Sequence, residues 1–277
     1  MVEFDKVFFG YGNSSTIDDV SFRMEKGDFT ALLGENGAGK STLARLCNGL
    51  LKPSSGRVMV DGANTRETKT SVLARTIGYL FQNPDRQLCR NTVREEIMFG
   101  LEYAIPETGV RKGKVPAEAA ALREARCEEM LRLFRLDGSR DPFGMSRGER
   151  QQVALSSVLA RKPALLILDE PTTGLDYREC MTIMEIISRL NREGTTILMI
   201  THDMEVALDF ARSALVLSKG RLLIRGPVRE VMKDRALLSR ASLLPAQIPA
   251  LALILGEGYE NVFTVDDMVN KAAGASL

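Results

Sequence analysis

An apolar run, DFTALLG (28–34), passes without a break into Gly34-Glu35-Asn36-Gly37-Ala38-Gly39-Lys40-Ser41-Thr42, and helical periodicity starts at Lys40. The order of buried strand, glycine-rich loop and helix gathers backbone N–H groups and the positive end of a helix dipole at one point, where an anion is stabilised. The spacing Gly34-x-x-x-x-Gly39-Lys40-Ser41 is that of a phosphate-binding loop. In such a loop the backbone wraps phosphates, the lysine reaches the β- and γ-phosphates, and the Ser41 hydroxyl is a magnesium ligand. A glycine-rich turn with no ligand has the same local pattern, so residues downstream must decide between the two.

Two further apolar runs end in polar groups. ALLILDE (164–170) and TTILMITHD (195–203) flank the helix-like YRECMTIMEIISRLNREG, and strand, helix, strand implies a parallel, buried sheet. Asp169 and Glu170 close the first run. Alone, two acids there are more often a solvated turn or helix cap. Beside a phosphate loop they divide the work: Asp169 holds magnesium through its water shell and Glu170 polarises the attacking water. His202, the chain's one histidine, closes the second run. A lone histidine is often structural, but the C-terminal end of a parallel strand is where α/β proteins bind ligands, which favours a γ-phosphate contact. Gln82, in YLFQNPD, also ends an apolar run and by itself says little.

The remaining organisation follows from pattern and composition. With 277 residues, 44% of them apolar, the chain supports one large or two intimately joined domains. Residues 1–33 read as short antiparallel strands leading into the buried one, and residues 84–162 as an inserted helical lobe interrupted by the basic loop PETGVRKGKVP (106–116). ALVLSKG and RLLIRG read as an edge hairpin, followed by a helical tail from Pro227. Because 37 Lys+Arg balance 36 Asp+Glu, there is no whole-chain footprint for nucleic acid. Cys47, Cys89, Cys127 and Cys180 form no C-x-x-C, which reads as free thiols in a reducing cytosol. The N-terminus lacks the head and core of a secretion signal, and LLPAQIPALALIL is short and broken by Pro245 and Pro249, so membrane association is expected through a partner.

Taken in order, GENGAGKST, FQNPD, MSRGERQQVALSSVLARKPALLILDEPTTGLD and ITHD resemble the ATP-binding subunits of ABC transporters over residues 1–230. The resemblance implies an ATPase using ATP and Mg2+, with a P-loop NTPase fold: a RecA-like parallel α/β core with an antiparallel β subdomain and a helical subdomain at about 84–162, within a nucleotide-binding domain of 1–228. A C-terminal helical extension, 229–277, follows. It implies that Tyr11 stacks on adenine, simple strand packing being the plainer role for a tyrosine there. It also implies a Q-loop glutamine at Gln82 that is both catalytic and a magnesium ligand, and a D-loop at Gly174-Leu175-Asp176 with Asp176 at the nucleotide. His202 would be the switch histidine. Met145–Glu149 would be the signature, whose Ser146, Arg147, Gly148 and Glu149 face the γ-phosphate held by a second subunit, either an identical copy or a paralogue. Arg147 stands where that family has glycine, and either adds a cation to the half-site or points to solvent.

QNPDRQL, VREEIMFGLE and the tail LLPAQIPALALILGEGY…FTVDDMV are similar to energy-coupling-factor (ECF) importers of vitamins and transition-metal ions. That similarity implies a peripheral subunit at the cytoplasmic face of the membrane. Its partners would be a transmembrane T component, met by Asp85, Gln87 and their neighbours, and a substrate-binding S component. Another ABC importer or exporter would share every catalytic residue. A soluble ABC mechanoenzyme would normally add coiled-coil heptads or a second cassette.

Overall fold

The computed structural model describes residues 1–12, 14–104 and 117–274, so the basic loop at 106–116 lies outside the described residues. The chain opens with β1 (Val2–Tyr11) and β2 (Ser14–Met24), an antiparallel pair of 10 and 11 residues, longer than the short strands expected. Next come β3 (Phe29–Leu33), α1 (Lys40–Cys47), β4 (Ser55–Val60), β5 (Ala63–Asn64), α2 (Thr70–Leu73) and β6 (Ile77–Leu80). The helical lobe holds α3 (Val93–Ala104), α4 (Ala117–Phe134) and α5 (Arg147–Leu159). After it the chain runs through β7 (Leu165–Asp169), α6 (Tyr177–Arg192), β8 (Thr196–Ile200), α7 (Met204–Phe210), β9 (Ser213–Ser218) and β10 (Arg221–Pro227). Four helices close the described chain: α8 (Val228–Lys233), α9 (Arg235–Arg240), α10 (Gln247–Leu255) and α11 (Val265–Ala272).

Two sheets result. One is antiparallel in the order β2-β1-β4-β5; the other has the order β10-β9-β3-β8-β7-β6, parallel except for the β9–β10 edge hairpin. The parallel strands are apolar throughout because both faces of their sheet are covered. Successive side chains point to opposite faces. Ala31, Leu33, Leu166, Leu168, Ile197 and Met199 therefore enter one core with the helical lobe, while Leu32, Leu165, Ile167, Leu198 and Ile200 enter a second with α1 and the antiparallel sheet. Both cores press on the strand ends that carry the polar motifs, which fixes those ends in space.

Val228, Val231, Met232, Leu237 and Leu238 of the C-terminal helices, with Phe263 just ahead of α11, are buried in the same cluster as α7 and β9. The segment expected as an extension thus shares its core with the parallel sheet. Beyond that contact it leaves Leu244, Ile254, Val265 and Val269 exposed. No helix among the described residues is long and apolar enough to cross a membrane.

Candidate active site

The loop after β3 is shaped by two glycines. Gly34 has φ +153°, and a β-carbon there would lie 2.2 Å from the Leu217 carbonyl oxygen; Gly39 has φ +102°, and its β-carbon would lie 2.9 Å from the Thr16 carbonyl oxygen. Any side chain at either position would collide with backbone, which is why the motif demands glycine there. The loop is pinned from the β9–β10 turn by the Gly220 N–H, which donates to the Ala38 carbonyl at 3.0 Å. Lys40 is buried, and its ammonium donates to the carbonyls of Gly34 at 2.7 Å and Glu35 at 3.0 Å. Burial lowers the Lys40 pKa, and the nearby carboxylates of Glu170, Asp169 and Glu35 oppose that shift.

A cleft of about 280 Å³ joins this loop to the strand ends, bringing Asn36, Gly37, Gly39, Lys40, Ser41 and Thr42 together with Gln82, Asp169 and Glu170. Gly34, Glu35 and Ala38 support the loop from behind the cleft rather than lining it. Asp169 is buried at the end of β7, where it accepts from Ser41 Oγ at 3.3 Å on Oδ1 and from the Tyr79 hydroxyl at 3.1 Å on Oδ2. Burial raises its pKa against the pull of those two bonds, and the same burial, with Asp169 beside it, drives the Tyr79 phenol well above its ordinary value. The Ser41 and Asp169 oxygens are hard donors adjacent to phosphate-binding backbone, which fits magnesium.

Glu170 is 7% exposed and sits at φ +54°, a left-handed conformation uncommon for any residue with a side chain. Its N–H donates to the Ile200 carbonyl at 3.0 Å, which ties the turn after β7 to the end of β8. Its Oε2 lies 2.7 Å from His202 Nδ1 and accepts from Thr173 Oγ1 at 3.2 Å. A carboxylate held this way is aimed rather than solvated.

Other expected residues lie elsewhere. Tyr11 is half exposed, edge-on to Phe9 with centroids 5.0 Å apart, and does not line the cleft; Thr16 of β2 does. Ser146 caps α5: its Oγ accepts from the Glu149 N–H at 3.2 Å while Glu149 Oε2 accepts from the Ser146 N–H at 2.8 Å. Glu149 Oε1 is also engaged, by Arg140 at 2.6 Å. Asp176 caps α6 through a reciprocal pair with Glu179. None of residues 145–149, nor Asp176, lines the cleft.

Sequence reasoning did not identify Tyr79, since a tyrosine in a strand reads as core; its place on β6, hydrogen-bonded to β7, is what brings the phenol to Asp169. Gln87, expected on an outward surface, turns in: Oε1 accepts from the Phe81 N–H at 3.2 Å and Nε2 donates to the Ala154 carbonyl at 3.1 Å. Its neighbour Asp85 pairs with Arg150 at 2.8 Å. The turn after Gln82, including the short 3-10 segment Pro84–Arg86, is thereby fastened to α5.

A parallel sheet with a glycine-cradled, cation-bearing loop facing a buried acid pair defines a P-loop nucleotide-binding protein. Residues 17–173 match the family model described as ABC transporter. The chain is 38% identical over 273 residues to an ABC transporter ATP-binding protein of Caldanaerobacter subterraneus, covering 98% of this chain and 45% of that one. It therefore spans less than half the length of that relative. It is 36% identical over 267 residues to the energy-coupling factor transporter ATP-binding protein EcfA of Methanothermobacter thermautotrophicus, covering 94% of this chain and 82% of that one. Among solved structures it resembles cbiO1 from Clostridium perfringens, described as part of the ABC transporter complex cbiONQ, at a TM-score of 0.73 and 28% identity over 92% of this chain and 98% of that one. It also resembles a dimeric post-hydrolysis ATP-binding cassette bound to ADP and Pi, at 0.71 and 26%, covering 82% and 99%. The chain belongs to the ABC transporter family and carries its ATPase domain.

Proposed function

We propose that this chain hydrolyses Mg-ATP as one half of a dimer, an identical copy or a paralogue completing it, and powers an ECF-type importer of a vitamin or transition-metal ion from the cytoplasmic face of the membrane. The observation that carries the hydrolytic reading is the buried Glu170 carboxylate, held by His202 and Thr173 directly after Asp169. In this reading the loop 34–42 and Lys40 bind the phosphates. Ser41, Asp169 and Gln82 hold magnesium, which when bound neutralises charge between the phosphates. Glu170 accepts the proton of the attacking water, and His202 orients Glu170 and senses the γ-phosphate. Ser146 and Gly148, at the N-terminus of α5, face the nucleotide of the second subunit, where the helix dipole suits an anion. Tyr11, half exposed at the end of β1, stacks on adenine, and Asp176 contacts nucleotide from the loop ahead of α6.

The ties from Gln87 and Asp85 to α5 support coupling to a membrane partner. They make the turn after Gln82 move with the helix whose first residues meet the second subunit. Beside that turn, Leu50, Tyr79, Phe81, Phe99 and Val158 line an apolar groove of about 340 Å³ between the parallel core and the helical lobe, sized for a helix end of a transmembrane T-type subunit. The similarity to EcfA and cbiO1 supports this assignment. Affinity purification from native membranes with mass spectrometry tests it. The expected co-purifying proteins are a polytopic T-type subunit and a small substrate-binding membrane subunit, and recovery of soluble partners alone would overturn it.

A further inference from the structure

The first turn of α5 does more than present a backbone end. Arg147 and Gln151, one helical turn apart, share a face, and that face lies along the loop 171–176. At one end Gln151, 2% exposed, donates from Nε2 to the Pro171 carbonyl at 3.4 Å. At the other, the stem of Arg147 is laid on Gly174: a β-carbon there would sit 3.0 Å from both Cδ and Nε of Arg147. Gly174 is at φ +81°, so the loop turns under the arginine in a conformation that suits glycine. Between them Gly148 faces Glu179, whose carboxylate oxygens lie 2.9 and 3.0 Å from a β-carbon placed on Gly148, and which accepts the Asp176 N–H at 3.0 Å. The Arg147–Gln151 face thus touches the loop at two points, Pro171 and Gly174, while Gly148 packs on Glu179 of α6, which closes the loop's end. The loop in turn carries Thr173, whose hydroxyl donates to Glu170 Oε2 at 3.2 Å.

We propose that Arg147 is a positioning residue: its side chain, packed through Cδ and Nε, braces Gly174 and so holds Thr173 against Glu170, linking the start of α5 to the carboxylate of the same chain's own site. Among the described residues no hydrogen bond or ion pair engages the Arg147 guanidinium, so its contact with Gly174, through Cδ and the adjoining Nε, is one of packing. Arg147 is then neither a nucleotide ligand nor a solvated bystander. The functional half of this inference rests on Glu170 being the hydrolytic base; the mechanical half does not.

Amide hydrogen exchange on the full chain without nucleotide tests the brace. Arg147→Gly removes the stem, and exchange at residues 172–176 is expected to rise by about three- to tenfold, with β7 and β8 unchanged. Arg147→Met keeps an unbranched stem without charge and should stay within about twofold of wild type at the same amides. In steady-state hydrolysis, Arg147→Gly should lower kcat while leaving KM for ATP within about twofold, and Arg147→Met should recover most of the loss. Unchanged loop exchange in Arg147→Gly, or Arg147→Met behaving like Arg147→Gly, would overturn the proposal. Wild-type protein that hydrolyses no ATP would instead count against the proposed function, and the exchange data would still decide the brace.

Discussion

Glu170 Oε2 and His202 Nδ1 stand 2.7 Å apart, one group at the end of β7 and the other at the end of β8, with the carboxylate buried and the imidazole two-thirds exposed. The parallel pairing that sets Asp169 beside Ile200 enforces this meeting. In the proposed function His202 therefore orients the base without itself lining the cleft. His202→Ala should depress hydrolysis by about 10- to 100-fold, the scale of losing one charge-assisted hydrogen bond. ADP affinity, measured by titration of a fluorescent analogue, should hardly move. An equal loss of ADP and ATP affinity would assign His202 a structural role instead.

Tyr79→Phe tests whether the phenol matters to the proposed magnesium site. Removing its hydroxyl leaves Asp169 Oδ2 without its 3.1 Å donor inside a buried site. The variant should lose about 1.5–3 kcal/mol of stability, the range for a hydrogen bond to a charged group, and its magnesium dependence of nucleotide binding should shift. Denaturant unfolding together with a magnesium titration reads both; a stability equal to wild type would show that the bond contributes nothing.

The fastening of the Gln82 turn rests on Gln87. Gln87→Ala breaks two hydrogen bonds, one to the Phe81 N–H and one to the Ala154 carbonyl. The expected cost is about 1–3 kcal/mol, seen as a Tm lowered by a few degrees. The basal ATPase of the isolated dimer should fall less than transport in the reconstituted complex. Transport and hydrolysis falling in parallel would speak against a coupling role.

Acid sensitivity has a specific source at the start of α5. The Arg140 guanidinium, followed by the Ser146 N–H, holds the Glu149 carboxyl below the ordinary 4.5. A carboxylate whose folded pKa is depressed adds stability that is present above its unfolded value and is lost as pH falls through the folded one. The Tm difference between wild type and Glu149→Gln should thus be full at neutral pH and shrink below about pH 4.5. A difference independent of pH would mean that the cap's geometry, and not its charge, is what stabilises.

Much of this arrangement was legible in the sequence wherever local chemistry dictates structure. Gly34 and Gly39 announce backbone that no side chain tolerates, and the runs ending in Asp169 and His202 announce buried strands whose ends meet at a ligand site. What stayed hidden depends on partners distant in sequence. Tyr79 reaches Asp169 only because β6 lies beside β7, and Gln87 turns inward because α5 offers the Ala154 carbonyl. Arg147 looked like a choice between nucleotide and solvent because nothing local reveals that Gly174 lies beneath it. The strands β4 and β5 carry weaker alternation and went unread for want of a visible face.

The central claim is that Glu170, aimed by His202 and Thr173, is the hydrolytic base of an ATP-driven dimer. Glu170→Gln keeps the size of the side chain and one acceptor while removing the charge that takes the proton. Steady-state phosphate release, measured alongside light scattering with ATP present, tests the claim most directly. The account predicts turnover reduced by about 10²- to 10⁴-fold with an ATP-bound dimer accumulating. Turnover within about twofold of wild type would contradict it.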